Sequence, residues 1–246
     1  MHRFYIPGFP PSGEVQLPDE EAQHLARVLR LSVGDTIAVF DGHGREAVAR
    51  VQSIASRRVG VSILEPRSAV PEPAVAITLA QALLKSDKMD RVIRDSVMLG
   101  VASIQPFISL RTEIPRAALR TGVRQVRWDR TVISSVKQCG RAVVPHVLET
   151  VEFEHVLASA SGRIRLMFVE PGGAYAAVVS DLRSLEGSRP PGARVLIGPE
   201  GGWDRAEIAK AVAAGVTLVT LGNRVLRADA AGVIAMAVLR YIWRDL

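Results

Sequence analysis

The chain has 246 residues, 48% of them hydrophobic and 23% charged, enough for one large domain or for a medium and a small one, which excludes a disordered or low-complexity protein. A single cysteine, Cys139, excludes an internal disulfide and a multi-cysteine metal site, so no metal is expected. The net charge of +6 reflects either a genome that favours arginine over lysine or a polyanionic partner, nucleic acid first, because cationic side chains displace the counterions condensed on it.

The opening residues, MHRFYIPGF, lack the apolar core of a signal peptide, and the setting expected is a reduced cytoplasm. Residues 20–30, EEAQHLARVLR, read as a helix. The short runs TIAVFDG, EAVARV and VGVSILE read as strands broken by Gly and Asp-Gly turns. Together they predict a small, mostly β domain. It ends in EPRSAVPEPAVA, residues 65–76, where three prolines interrupt any periodic element and mark a linker.

Beyond the linker, apolar runs alternate with helical patterns, which predicts a largely parallel sheet with helices packed on it. VAITLAQAL is the first strand. Residues 87–99 follow as a helix with Met89, Val92, Ile93 and Val97 on one face and a cap at Ser86 or Asp87. IQPFISL is the next strand. From Arg111 to Arg141 the cations Arg116, Arg120, Arg124, Arg127, Arg130 and Lys137 face only Glu113 and Asp129, a basic patch suited to RNA. The strands RLMFVE, RVLIG and VTLVTLG come next. In the last helix Val233, Ile234, Ala237, Val238, Tyr241 and Ile242 form an apolar stripe, with Arg240, Arg244 and Asp245 off it. Either its own sheet or a second subunit would cover that stripe. The apolar run VIAMAVL inside it is too short to cross a bilayer, so no membrane segment is expected.

Two loops carry the chemistry. RVLIG leads through Gly198–Trp203 into DRAEI, where Asp204 and Glu207 have the spacing of a capping box. That puts the glycines at the carboxyl end of a strand, the edge where open α/β sheets bind ligands. They make either a plain tight turn or a loop whose amides approach a ligand. Glu200 inside the turn disfavours phosphate and suits a cationic ligand such as a sulfonium or an amino group, or it is a surface carboxylate at a helix start. The second loop, LGNRVLRADAAG, adds backbone donors from Leu221 to Leu226, an apolar wall from Val225 and Leu226, and the cation Arg227.

IGPEGGW followed by LGNRVLRADAA resembles the signature pair of the RsmE family, methyltransferases of N3 of a uridine in 16S ribosomal RNA. HLARVLRLSVGDTIAVFDG, LLKSDKMDRVIRDSVMLGV and RWDRTVISSVKQCGRAVVP resemble further blocks of that family, in the same order. The resemblance implies a PUA-like RNA-binding β-barrel over residues 1–70. Over residues 74–246 it implies an α/β SPOUT-type catalytic domain with a C-terminal trefoil knot, acting as a homodimer. It implies S-adenosylmethionine as cofactor, held by Leu196, Gly198, Glu200, Gly201, Leu221, Gly222, Val225 and Leu226. The partner it implies is 16S ribosomal RNA or the small ribosomal subunit.

Where the family usually has Thr-Glu-Leu-Gly this chain has Val97, Met98, Leu99 and Gly100. Ser134, Ser135, Val136, Lys137 and Gln138 replace Glu-Ala-Ala-Glu-Gln. Ala228, Asp229, Ala230 and Ala231 replace Thr-Glu-Thr-Ala. Methyl transfer to an imide nitrogen needs positioning and a cation near the uracil oxygens, which makes Arg227 the candidate for catalysis, with the proton lost to solvent or to a carboxylate such as Asp229. His24, His43, His146 and His155 read as structural or exposed. RNA contacts are expected from Arg27, Arg30, Arg57 and Arg58 of the small domain and from Arg116, Arg124 and Arg141. The alternatives are a catalytically weakened RNA-binding module of the same fold and a nucleotide-dependent enzyme of doubly wound type.

Overall fold

The computed structural model describes residues 1–55, 58–85, 87–114, 122–158, 164–172, 175–187 and 189–246. The chain divides into two compact units, Met1–Glu72 with Ile133–Val144, and Pro73–Val132 with Pro145–Leu246. A single cut at the proline-rich linker does not describe this division, because residues 133–144 join the first unit.

The first unit holds a five-stranded sheet in the order β1 (Arg3–Tyr5), β3 (Thr36–Phe40), β4 (Glu46–Ala55), β5 (Arg58–Arg67), β2 (Gly13–Gln16). The pairs β3–β4, β4–β5 and β2–β5 are antiparallel, and β1 lies parallel to β3. Alternating residues of these strands, among them Ile37, Val39, Ala49, Val51, Val59 and Val61, meet Phe4 and Leu25 in one core. The helix read over 20–30 is real but changes pitch: α1 (Asp19–Gln23) continues as a π-helical segment, His24–Leu29. It stops at Arg30, whose left-handed φ of 54° ends the helical path.

The second unit is α/β. Its sheet runs β12 (Thr217–Val219), β10 (Ile164–Phe168), β11 (Gly192–Ile197), β6 (Ala76–Ala82), β7 (Ser103–Ile108), β8 (His146–Val147), and β9 (Val151–Glu152) also pairs with β7. All pairings among these described strands are parallel. β11 is buried along its whole length and β6 along nearly all of it, as expected of strands covered on both faces. β8 pairs with Ser103 and Ile104, and β9 with Phe107 and Ile108. The break falls beside Pro106, which has no N–H to give the ladder, and Gln105 Nε2 bridges it by donating to the carbonyl of Glu149 at 2.6 Å.

Helix α2 (Lys88–Met98) buries Met89, Val92, Ile93 and Val97 as its spacing predicts. Asp87 stands at its N-cap, but its carboxylate binds Arg91 at 2.7 Å instead of a backbone N–H; Ser86 lies outside the described residues. The helices α3 (Val123–Cys139), α4 (Phe153–Ala158), α5 (Arg205–Ala213) and α6 (Ala228–Ile242) complete the chain. No helix of the described residues is long and apolar enough to cross a membrane.

The last helix corrects the expected burial. α6 buries Gly232, Ala235, Met236, Leu239 and Arg240, while Ile234 and Tyr241 of the apolar stripe are exposed, Tyr241 at 74%. Arg240 is not off the packed face but 1% exposed. It donates to the carbonyls of Val75 and Gly100 and to Asp245 Oδ2, at 2.7, 2.6 and 2.5 Å. Asp245 in turn accepts the backbone N–H groups of Ala74 and Val75. Apolar periodicity overlooks a charged residue each of whose guanidinium nitrogens finds an acceptor inside.

Candidate functional site

Three loops at the carboxyl ends of neighbouring parallel strands surround a cavity of about 390 Å³. Phe168–Pro171 follow β10, Ile197–Glu200 with Gly202 and Trp203 follow β11, and Leu221 with Arg224–Asp229 follow β12; Lys88 of α2 closes one side. This is the sheet edge where the sequence located the ligand.

The β11 loop is held by its own residues. Gly202, at φ +70°, donates its N–H to Pro199 O at 3.0 Å. A Cβ at Gly198 would lie 3.0 Å from the indole of Trp203. That indole donates Nε1–H to Phe168 O at 2.8 Å and stacks on Phe107 at 5.9 Å, tying the loop to β10. The expected capping box is present: Asp204 accepts from Ala206 N, and Glu207 accepts from Asp204 N. Glu207 is buried and also accepts from Leu110 N and Ser109 Oγ, both at 3.0 Å. The carboxylate therefore fixes the loop after β7 against the start of α5. The amide of Ala206 and the Arg111 guanidinium hold the Asp204 carboxyl below the usual range, against a smaller opposing effect of burial.

Glu200 has partners of its own. Its Oε1 accepts from Lys88 Nζ at 3.0 Å and from Lys85 N at 3.2 Å. Burial pushes its carboxyl up, but the Lys88 ammonium and the backbone donors outweigh that and hold it low. The acid in the turn is thus tied to the start of α2.

Arg227 is the N-cap residue of α6, and its carbonyl accepts from Ala230 N and Ala231 N. Its side chain is 79% exposed and stands 3.7 Å from Asp229 Oδ1, while Arg91 lies 3.8 Å from the other oxygen of Asp229. Asp229 is thus the mostly buried acid of a short Arg-Asp-Arg chain joining α2 to α6.

The cavity brings together Gly198, Glu200, Leu221, Val225, Leu226, Arg227 and Asp229 of the expected residues. It does not include Leu196, which is buried in the core beneath the loop. Gly201 faces away, toward Arg111, whose Cβ and carbonyl would lie 3.3 and 3.4 Å from an added Cβ. Gly222 lines an adjoining depression with Asn223, Ile234 and Val238. Sequence reasoning missed Lys88, Phe168 and Glu170. The signal for Phe168 and Glu170 was their place at the end of RLMFVE, but the strand order that makes β10 the neighbour of β11 and β12 was not legible.

Of the expected RNA-binding residues, Arg27, Arg30 and Arg58 are exposed on the first unit and Arg124 is half-buried at the start of α3. Arg57 and Arg116 lie outside the described residues, as does Arg120. Arg141 is corrected: it is 5% exposed, and its guanidinium grips Glu72 with Nε–Oε1 at 3.0 Å and Nη2–Oε2 at 2.5 Å. Lys137 is likewise engaged, with Glu21 at 2.8 Å and His24 Nδ1 at 3.2 Å. Burial, then the nearby Lys137 charge, lowers the proton affinity of His24 against a weaker pull from Glu21. Arg127 pairs with Asp90. A count along one segment does not see acids supplied from elsewhere in the chain.

Residues 71–240 match the RNA methyltransferase domain family and residues 17–64 the RNA methyltransferase PUA domain family. The ribosomal RNA small subunit methyltransferase E of Synechocystis is 32% identical over 230 residues, 91% of this chain and 71% of that protein. The protein of the same name from Bacillus subtilis is 25% identical over 224 residues, 90% of this chain and 88% of that one. Among solved structures, the ribosomal RNA small subunit methyltransferase E of Neisseria gonorrhoeae bound to S-adenosyl methionine has a TM-score of 0.88 at 35% identity, covering 99% of this chain and 98% of that one. A putative methyltransferase from Legionella pneumophila in complex with S-adenosyl methionine has a TM-score of 0.89 at 30% identity, covering 97% and 96%.

Proposed function

The chain belongs to the RNA methyltransferase family that includes ribosomal RNA small subunit methyltransferase E, a SAM-dependent rRNA methyltransferase, and from that premise we propose that it methylates N3 of one uridine in 16S ribosomal RNA. The observation that carries the cofactor reading is the cavity itself. Its volume of about 390 Å³, the apolar walls Phe168, Val169, Ile197, Val225 and Leu226, and the few polar groups among them fit a nucleoside-sized ligand. Gly198, Glu200, Leu221, Val225 and Leu226 would hold it. S-adenosylmethionine, when bound, supplies an electrophilic methyl group.

The protein's own part is positioning and electrostatics. Uridine N3 becomes nucleophilic when its proton leaves, and negative charge then spreads onto the two uracil oxygens. Arg227 is assigned to offset that charge; the exposure of its guanidinium at the cavity rim supports the assignment. Asp229, held between Arg227 and Arg91, is assigned to orient Arg227 and to accept the proton. Met98, Ser134 and Lys137, where the chain departs from the family pattern, do not line the cavity; Ala228 does. The N3 position rests on the sequence's likeness to the RsmE family.

The first unit is assigned to RNA binding through Arg27, Arg30 and Arg58, and the second to methyl transfer. The exposed stripe of α6 is assigned to a homodimer, since Ile234 and Tyr241 turn outward while the opposite face packs on the sheet. A cytoplasmic location follows from the substrate. Comparing small-subunit ribosomal RNA from strains with and without the chain tests the function. Loss of one 3-methyluridine is expected, and an unchanged set of modified bases refutes the reading.

A further inference from the structure

Three carboxylates line the cavity: Glu170, Glu200 and Asp229. Glu200 is occupied by Lys88 and by the amide of Lys85. Asp229 sits between Arg227 and Arg91. Glu170, in the loop after β10, is exposed, and among the described residues it has neither a cationic partner nor a hydrogen-bond donor.

Its carboxylate lies over Gly202. A Cβ on Gly202 would stand 3.0 Å from Glu170 Oε1 and 3.9 Å from Oε2, so the missing side chain at 202 is what leaves room for the acid. The N–H of Gly202 is turned to Pro199 O and does not serve the carboxylate. An ionised carboxylate accepts at two adjacent oxygens. Among the described residues neither oxygen has a donor, and the cavity they line includes the apolar walls Phe168, Val169, Pro171 and Ile197.

We propose that Glu170 is a cofactor-binding residue that accepts hydrogen bonds from the two ribose hydroxyls of the S-adenosyl group. This rests on the cofactor reading above. A vicinal diol offers two O–H donors side by side, which match the paired oxygens of a carboxylate. An ammonium would engage the same oxygens by charge-assisted hydrogen bonds and would leave the ribose diol without this acceptor pair. Glu200, which the sequence placed at the ligand, is also tied to Lys88 within the protein, and Glu170 brings a second acid to the cavity from the neighbouring strand.

The test is calorimetric titration of the full chain and its Glu170→Ala and Glu170→Gln variants with S-adenosylmethionine, S-adenosylhomocysteine and 5′-methylthioadenosine, which keeps the ribose and lacks the amino acid. Circular dichroism melting checks the fold of each variant. Wild-type binding of the first two ligands is required by the cofactor reading, and its absence refutes that reading rather than this one. Given that binding, Glu170→Ala is expected to weaken all three ligands alike, roughly tenfold to a hundredfold, as for loss of hydrogen bonds to a charged group. Glu170→Gln is expected to retain part of the affinity, since its amide oxygen still accepts. Unchanged affinity in Glu170→Ala overturns the proposal. So does a loss confined to the two ligands that carry the amino acid, which would assign Glu170 to the ammonium.

Discussion

Lys88 Nζ donates to Glu200 Oε1 at 3.0 Å, so an ion pair joins the first turn of α2 to the glycine-containing loop after β11. Because Glu200 is satisfied within the protein, Glu200→Gln is expected to weaken S-adenosylmethionine and S-adenosylhomocysteine by the same few-fold factor. A carboxylate that recognised the sulfonium would discriminate between them, and titration with both ligands decides.

The glycines of that loop differ in what they face. Gly202 has φ +70° and Glu170 beside it, so Gly202→Ala is expected to cost about 1–2 kcal/mol from the left-handed backbone and to weaken S-adenosylmethionine binding. An alanine at Gly201 meets Arg111 instead. Gly201→Ala is therefore expected to leave cofactor affinity within a few-fold of wild type. Thermal melting and cofactor titration on the two variants separate them.

Arg227→Ala is expected to lower turnover by roughly a hundredfold while cofactor affinity stays nearly constant, because the charge it offsets arises only in the transition state. Single-turnover methylation, together with cofactor titration, measures both quantities. A normal rate removes the catalytic assignment.

Arg58 and Arg141 should behave as opposites. Exposed Arg58 is expected to contribute a phosphate contact, so Arg58→Ala lowers the slope of RNA affinity against salt by about one. Arg141→Ala strands Glu72 in a half-buried pair. It is expected to lower the melting temperature of the chain and to leave the salt slope unchanged.

Asp245 gives a pH-dependent contribution to stability. Burial raises its proton affinity, but the amides of Val75 and Ala74 and the Arg240 guanidinium outweigh that, and its pKa lies below the ordinary value. Stability from this group is present above the unfolded carboxylate pKa, about 3.9, and is lost as pH falls through the lower folded value. Asp245→Asn leaves Arg240 without its counter-charge, at an expected cost of about 3–5 kcal/mol at pH 7. Thermal melting from pH 7 downward should show a constant gap between wild type and variant until about pH 3.9, and a narrowing gap below it as pH falls toward the lowered folded pKa of Asp245.

The sequence made the two-loop site legible because its local signals are strong: a capping box at Asp204 and Glu207, glycines between an apolar strand and a helix, and a second strand ending in an Arg-containing loop. The parallel sheet followed from alternation. What stayed hidden depends on pairing between distant segments. Glu170 belongs to the site because β10 lies between β11 and β12, an order that no local pattern encodes. Arg240 reads as a surface residue until Val75, Gly100 and Asp245 meet it, and Arg141 reads as an RNA contact until Glu72 does. Residues 133–144 join the first unit although they follow the linker by some sixty positions.

The most direct test of the account is to incubate the purified chain with S-adenosylmethionine and small ribosomal subunits from a strain that lacks it, then digest the 16S RNA and identify the modified nucleoside by mass spectrometry. One 3-methyluridine at a single position, absent with Arg227→Ala under the same conditions and time, is the expected result. Methylation of another base or atom, or none with a chain that binds the cofactor, would contradict it.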